Sequence, residues 1–164
     1  MLNSNVHFHE VNVPNYPLFH YQPYELALSS KLVDMVKAHK IDVLHVHYAI
    51  PHAYAAYIAK KMLHEEGIKI PIVTTLHGTD ITLVGSHPFY KTAVTFSINK
   101  SDSVTSVSQS LKEDTQRLFN TRKDIKVIPN FIDIDKYKNN FEDCERDLLA
   151  FPNERVITHV SNFR

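Results

Sequence analysis

The feature that most constrains the fold is a regular alternation between short β-branched runs and longer segments with helical periodicity. The runs typical of strands are Ile41–Val46, Ile70–Leu76, Ser103–Val107 and Ile125–Ile128. The segments typical of helices begin at Pro23 and then cover Pro51–Glu66, Pro88–Lys100 and Ser108–Phe119. Strands separated by helices favour right-handed crossovers and a parallel sheet. The sequence therefore predicts an α/β fold with a Rossmann-like, doubly wound parallel sheet.

The two ends of the chain have patterns of their own. Val6–Val13 alternates β-forming and polar residues before Pro14, which predicts a strand followed by a loop. Asn140–Asn153 is polar and charged and is typical of a linker, whereas Arg155–Val160 predicts a new strand. We therefore expect a domain over residues 1–140, a linker over 141–153 and the first strand of a second domain over 154–164.

Charge and cysteine content exclude several classes of protein. Among 164 residues, 18 basic side chains balance 18 acidic ones, so the sequence has no electrostatic footprint for nucleic acid. A single cysteine excludes an internal disulfide and a multi-cysteine metal site, and it favours a cytoplasmic location. The amino end lacks the pattern of a signal peptide, and no apolar run reaches the roughly 20 residues of a membrane span. With only three glycines, the sequence has no glycine-rich phosphate loop.

Polar residues follow the predicted strand Ile70–Leu76 in the order His77-Gly78-Thr79-Asp80. In an open α/β sheet, ligands bind beside the carboxyl ends of the strands. Exposed amides at this turn suit an anion, and the His77 imidazole suits donation to a polar group. The same residues also suit a structural turn, in which Gly78 supplies backbone freedom and Thr79 or Asp80 caps the next helix. The residues alone leave both interpretations open.

The neighbouring strands end in similar residues. Tyr48 follows one strand and suits either a hydrogen bond to a ligand or packing as a half-buried aromatic. Ser108 follows another and is the natural N-cap of the next helix, and Asn130 after the last strand is a turn former. Strand alternation puts His45 and His47 on one face and Tyr48 on the other. A zinc site there would need a third ligand, such as His52 or His77, and it is disfavoured because no H-E-x-x-H or comparable spacing accompanies the histidine pair.

Several motifs occur in order along nearly the whole chain: HVHYAIPHAYAAYIAKKML, TTLHGTDITLVGS, INKSDSVTSVSQSL, VIPNFIDIDKY and SNFR. Together they resemble the retaining glycosyltransferases of the GT-B fold, GT4 class. Within that family they are most similar to members that transfer N-acetylglucosamine from UDP-N-acetylglucosamine to L-malate, the first step of bacillithiol biosynthesis. The resemblance implies a two-domain enzyme. Its amino-terminal, Rossmann-like domain binds the acceptor and its carboxyl-terminal domain binds the nucleotide sugar.

The resemblance also implies a role for each residue at the strand ends. His77 matches a catalytic histidine that contacts the donor sugar, and Arg164 matches a basic residue that binds the UDP diphosphate. The implied acceptor-binding residues are Tyr48, Gly78, Thr79, Asp80, Ser108 and Asn130. No protein nucleophile is required, because the leaving diphosphate helps to accept the proton, and no metal or other cofactor is implied. The expected partners are the two small substrates, and a homo-oligomer is compatible with the sequence.

Members of this family begin with a strand and a Gly-Gly-x-Gly loop, and they continue past the SNFR motif with a lysine and a two-glutamate segment for the donor. Both parts are outside this sequence. The resemblance therefore implies an incomplete acceptor domain, an internal fragment that we expect to be inactive alone. Two alternatives stay open: a GT4 enzyme with another acceptor, such as a sugar or an inositol phosphate, and a non-catalytic α/β ligand-binding domain.

Overall fold

The structure is a computed structural model that describes residues 5–15, 17, 18, 20–137 and 148–160. Within these residues, four α-helices and four strands alternate along the chain. They are α1 (Tyr24–His39), β1 (Leu44–His47), α2 (Tyr54–Glu65), β2 (Ile72–Leu76), α3 (Pro88–Lys100), β3 (Ser103–Ser106), α4 (Gln109–Leu118) and β4 (Ile125–Val127). A short 3-10 turn follows at Ile134–Tyr137. The predicted order of helices and strands between Pro23 and Ile128 is therefore confirmed.

The four strands form one all-parallel sheet in the order β1-β2-β3-β4. Val46 pairs with Thr74 on the next strand, and Thr74 pairs with Val104 on the strand after it. Each helix between two strands returns the chain to the same edge of the sheet, so successive strands add in one direction. This arrangement confirms the predicted α/β class and the parallel, Rossmann-like sheet.

All four helices pack on one face of this sheet. The buried apolar strand residues on that face are Leu44, Ile72, Leu76, Val104 and Ile125. The helix residues packed against Leu44 and Ile72 come from α1 and α2 and are Val33, Val36, Ala56, Ala59 and Leu63. Those packed against the other three strand residues come from α3 and α4 and include Val94, Ile98 and Leu111. This apolar layer fixes the strand register, because a slip by one residue would turn each apolar side chain to the other face.

The opposite face of the sheet is mainly polar, although Val73 also lies on it. It presents His45, His47, Thr75, Thr105 and Lys126. His45 Nε2 lies 2.8 Å from Thr75 Oγ1, which lies 2.8 Å from Thr105 Oγ1, so a row of hydrogen bonds crosses three strands. A parallel sheet with helices on both faces is apolar on both. Within the described ranges no helix covers this second face, and the polar residues at its positions explain why the strands tolerate that exposure.

Two of the predicted strands are wrong. Val6–Val13 and Arg155–Val160 do not pair with any strand of the described residues, and every residue from Phe151 to Val160 is exposed. A lone strand leaves its backbone groups without ladder partners and its apolar side chains unburied. An alternating sequence therefore does not form a strand unless a neighbouring strand is there to pair with it.

The chain divides into two compact units, Met1–Asn130 and Phe131–Arg164, and the whole sheet belongs to the first. The predicted linker over 141–153 lies partly outside the described residues, and the predicted domain limits stay a prediction. None of the described helices is long and apolar enough to cross a bilayer.

Candidate functional site at the carboxyl edge of the sheet

The carboxyl ends of the four parallel strands meet at one edge of the sheet. Tyr48 directly follows β1 and His77 directly follows β2. Ser108 lies two residues beyond β3, and Asn130 lies three residues beyond β4. Because parallel strands all end on the same side, the sheet itself gathers residues that are far apart in sequence.

Tyr48 has a backbone conformation that is unusual for a residue other than glycine, with φ 75° and ψ 137°. Its amide donates to the Thr75 carbonyl at 2.9 Å, and its carbonyl accepts from the Ala53 amide at 3.2 Å. The centroid of its ring lies 5.0 Å from that of His77. Alternation predicted Tyr48 on the face away from His47, but the positive φ ends the alternation and brings the ring beside His77. Residues strained in this way concentrate at functional sites.

Asp80 joins the two loops that follow β1 and β2. The residue is 3% exposed, and its Oδ2 accepts from the Ala49 amide at 2.8 Å. Its Oδ1 accepts from the amides of Gly78 at 3.1 Å and His77 at 3.3 Å. A buried carboxylate needs such partners to offset its desolvation. The protein itself therefore occupies this carboxylate, which holds the backbone of the site in place, and the acceptor contact implied for Asp80 stays a prediction.

Gly78 forms the corner between β2 and the helical turn Thr79–Leu83. Its φ of 116° and ψ of −56° are suited to glycine, and its carbonyl accepts from the Thr82 amide at 2.8 Å. The Gly78 amide already donates to Asp80, and the predicted anion contact at this turn stays a prediction. The structural interpretation of this turn is thus correct for Gly78. Thr79 is exposed, so its hydroxyl is accessible to a ligand.

His77 is hydrogen-bonded to a histidine of the neighbouring strand. Its Nε2 lies 2.7 Å from Nδ1 of His47, and the two ring centroids are 4.9 Å apart. His45 stacks on His47 with centroids 4.9 Å apart, and Nδ1 of His52 donates to the His47 carbonyl at 2.7 Å. Burial lowers the pKa of His47, and the neighbouring His77, His45 and His52 lower it further. The neutral form of His47 is therefore favoured.

The remaining predicted residues are Ser108, Asn130 and Arg164. Ser108 caps α4, since its Oγ accepts from the Leu111 amide at 3.1 Å, as the structural interpretation predicted. Asn130 is exposed at the end of the first compact unit. Within the described part of the chain, neither side chain is hydrogen-bonded to His77. Arg164 lies outside the described residues, so its contact with a diphosphate stays a prediction.

The sequence suggested His47 and His52 only as metal ligands and gave them no other role in this site. Alternation places His47 on the polar face of the sheet, but it gives no distance to His77. That distance follows from the strand register, in which His47 pairs with Thr75, two residues before His77. Among the described residues, no group of three or more histidine, cysteine, aspartate or glutamate side chains is arranged to hold a metal ion.

Comparison with known proteins identifies the family. Residues 2–136 match the profile of Glycosyltransferase Family 4. The chain is 47% identical over 161 residues to the N-acetyl-alpha-D-glucosaminyl L-malate synthase of Bacillus anthracis, a match that covers 98% of this chain and 42% of that protein. It is 30% identical over 127 residues to a Bacillus subtilis protein named as a teichuronic acid biosynthesis glycosyltransferase, covering 73% of this chain and 30% of that protein. The chain thus spans less than half the length of these relatives.

The family match extends from residue 2 to residue 136 and so includes all four strands and the whole candidate site except Arg164. The site lies where α/β sheets of this kind bind their ligands. The chain belongs to glycosyltransferase family 4.

Proposed function

We propose that the protein is a retaining glycosyltransferase that transfers N-acetylglucosamine from UDP-N-acetylglucosamine to L-malate, and that this chain forms the acceptor side of its cleft. The observation that carries the proposal is the 47% identity, over 98% of the chain, to a relative whose name states that product. The relative at 30% identity is named for another product, so family membership alone does not fix the acceptor. A cytoplasmic location belongs to the same proposal.

Malate is a small dicarboxylate, so its site needs hydrogen-bond donors. The carboxyl edge of the sheet offers the hydroxyls of Tyr48 and Thr79. The Asp80 carboxylate is buried and accepts from three backbone amides, which offset its charge. An exposed carboxylate at the same place would repel a dianion. Ser108 and Asn130 add polar groups further along this edge.

The proposed chemistry is a substitution at the anomeric carbon of the sugar. The malate hydroxyl oxygen forms a bond to that carbon, the bond from the carbon to the diphosphate oxygen breaks, and the leaving diphosphate accepts the hydroxyl proton. The donor is α-linked, so an α-linked product means that the configuration is retained. No side chain forms a covalent bond, and the protein contributes positioning and charge stabilisation. We assign His77 to the donor sugar, and Tyr48 and Thr79 to malate.

The test is a transfer assay on the protein expressed from its complete reading frame. With UDP-N-acetylglucosamine and L-malate, we expect UDP release and a product with the mass of N-acetylglucosaminyl malate. The anomeric proton coupling in its NMR spectrum should be that of an α-glycoside. Transfer to a sugar or an inositol phosphate, but not to malate, would favour another acceptor. Substrate binding without transfer to any of them would refute the enzymatic proposal.

Three substitutions separate the assigned roles. Tyr48→Phe and Thr79→Ala are each expected to raise KM for malate about fivefold, the equivalent of about 1 kcal/mol for one hydrogen bond. His77→Ala is expected mainly to lower kcat. Tyr57→Phe and Thr121→Ala are matched controls, and they should change neither constant. The Tyr57 ring lies near Lys61 and Lys100, and Thr121 lies between the end of α4 and the start of β4, at the opposite edge of the sheet. Wild-type kinetics in all three site variants would refute the assignments.

A further inference from the structure

The hydrogen bond between His47 and His77 leaves only one ring nitrogen of His77 for a ligand. Nε2 of His77 lies 2.7 Å from Nδ1 of His47, so Nε2 is already engaged. Nδ1 of His77 is therefore the ring nitrogen that can form a hydrogen bond with a ligand. Whether this atom donates or accepts a hydrogen bond depends on where the protons of the pair lie, because a neutral imidazole has one N–H and one bare nitrogen.

The hydrogen bond between His47 and His77 contains one proton, and this limits the protonation states that the two rings can adopt together. If the pair is neutral and His47 donates, His77 must carry its own proton on Nδ1. If the pair takes up a further proton, His77 again carries a proton on Nδ1, whether the positive charge lies on His77 or on His47. Only one arrangement leaves Nδ1 bare, namely the neutral pair in which His77 donates to His47.

We propose that His47 is a positioning residue whose Nδ1–H donates to Nε2 of His77 and thereby keeps the proton of His77 on Nδ1, as a hydrogen-bond donor to the oxygen atoms of the donor substrate. Free histidine in water prefers its proton on Nε2, so the His47 contact inverts the ordinary preference of the ring. The identity of the ligand rests on the proposed function. The tautomer of His77 is a property of the protein alone.

Neighbouring residues hold both His47 and His77 in place. His45 stacks on His47 with centroids 4.9 Å apart, and His52 donates to the His47 carbonyl at 2.7 Å. The His77 amide donates to Asp80 at 3.3 Å, which fixes the backbone that carries the ring. Burial and the neighbouring histidines lower the pKa of His47, which favours its neutral form. The titratable groups that face the pair are His45, His52, Asp80 and Tyr48.

The test is 15N NMR of the protein labelled with [15N]histidine and expressed from its complete reading frame, at about pH 8, where an ordinary histidine is neutral. We expect His77 to show a protonated Nδ1 and a bare Nε2. In His47→Phe the proton should move to Nε2. In His47→Asn, whose side-chain amide can donate from a similar position, it should stay on Nδ1. His64→Phe is the matched control, because His64 is exposed on α2, and it should leave the His77 signals unchanged.

Two NMR results would overturn the proposal: a wild-type His77 with its proton on Nε2, or an unchanged tautomer in His47→Phe. Kinetics add a second readout. His47→Phe is expected to lower kcat roughly tenfold with KM for malate unchanged, and His47→Asn to restore most of it. Equal loss of kcat in both variants would indicate a merely structural role and would also overturn the proposal. If the protein transfers no sugar, the tautomer measurement decides this inference independently of the proposed function.

Discussion

The carboxyl and amino edges of the sheet each carry an aspartate that accepts a backbone amide from a neighbouring segment, but the two are satisfied in different ways. At the carboxyl edge, Asp80 is 3% exposed and accepts from three amides. At the amino edge, the Asp102 side chain is 46% exposed. It accepts from the Ile72 amide at 2.7 Å and from the Lys60 ammonium at 2.6 Å.

This difference shows how the site is held rigid. A buried carboxylate that is removed leaves amides that water cannot easily reach, whereas the partners of an exposed carboxylate can turn to solvent. At the carboxyl edge, the buried Asp80 thus holds the loop backbone through hydrogen bonds. The side chains of Tyr48, His77 and Thr79 are not needed for this and are left for a ligand. The ion pair at the amino edge is screened by solvent and contributes little.

Removing each carboxylate in turn tests the difference between the two edges most directly. Asp80→Ala is expected to lower the free energy of unfolding by about 3 kcal/mol, because it leaves the amides of Ala49, His77 and Gly78 without an acceptor. Asp102→Ala is expected to cost less than about 1 kcal/mol. Urea unfolding followed by circular dichroism measures both. Equal losses for the two variants would show that burial does not set the difference.

Two glycines with positive φ give a second matched pair. Gly78 follows β2 with φ 116° and Gly67 precedes β2 with φ 82°, and a Cβ at either would meet no atom within 4 Å. Alanine at each position should therefore cost about 1–2 kcal/mol through backbone strain alone. Gly78→Ala should also lower transfer activity, because it reorients His77 and Thr79, whereas Gly67→Ala should not. Equal activity in the two variants would show that the Gly78 turn does not contribute to the site.

The smallest expected effect is the pH dependence of stability, which occurs in a different range at each edge. The pKa of His47 is lowered from its ordinary 6.5 by burial and by His77, His45 and His52. Between that lowered value and 6.5, the unfolded chain binds more protons than the folded one. The contribution of His47 to stability therefore falls as the pH drops through 6.5, and it levels off below the pKa of the folded state.

The pKa of Asp102 is lowered overall from its ordinary 3.8. Burial raises it, but hydrogen bonds from Lys60 and the Ile72 amide and the charges of Lys60 and Lys123 outweigh burial. Its contribution is present above 3.8 and is lost as the pH falls through the lowered value. Urea midpoints measured from about pH 8 down to about pH 2 follow the two losses. His47→Phe should reduce the dependence of the urea midpoint on pH only in the upper pH range, and Asp102→Asn only in the lower range. If either variant keeps the wild-type dependence in its range, that residue does not cause it.

The sequence predicted the helices and strands best where local and tertiary preferences agree. Helix α3 has the predicted limits Pro88–Lys100, and Ser108 is the predicted N-cap. The predictions were wrong for Val6–Val13 and Arg155–Val160, where a strand would need a neighbour to pair with. In the candidate site, the sequence identified His77 and Tyr48 as edge residues. It did not indicate that Asp80 faces inward or that His47 contacts His77.

By itself, the sequence determined the α/β class and showed that polar residues collect at the carboxyl edge of the sheet. Both follow from the periodicity of the apolar residues and the order of the predicted helices and strands, which are properties of the sequence alone. The motifs also led to the glycosyltransferase family. Only the tertiary structure decided which polar groups are free at that edge. The contacts of Asp80 with Ala49 and of His47 with His77 each join residues about 30 positions apart. Strand register and the positive φ of Tyr48 set those distances, and neither is encoded in local residue spacing.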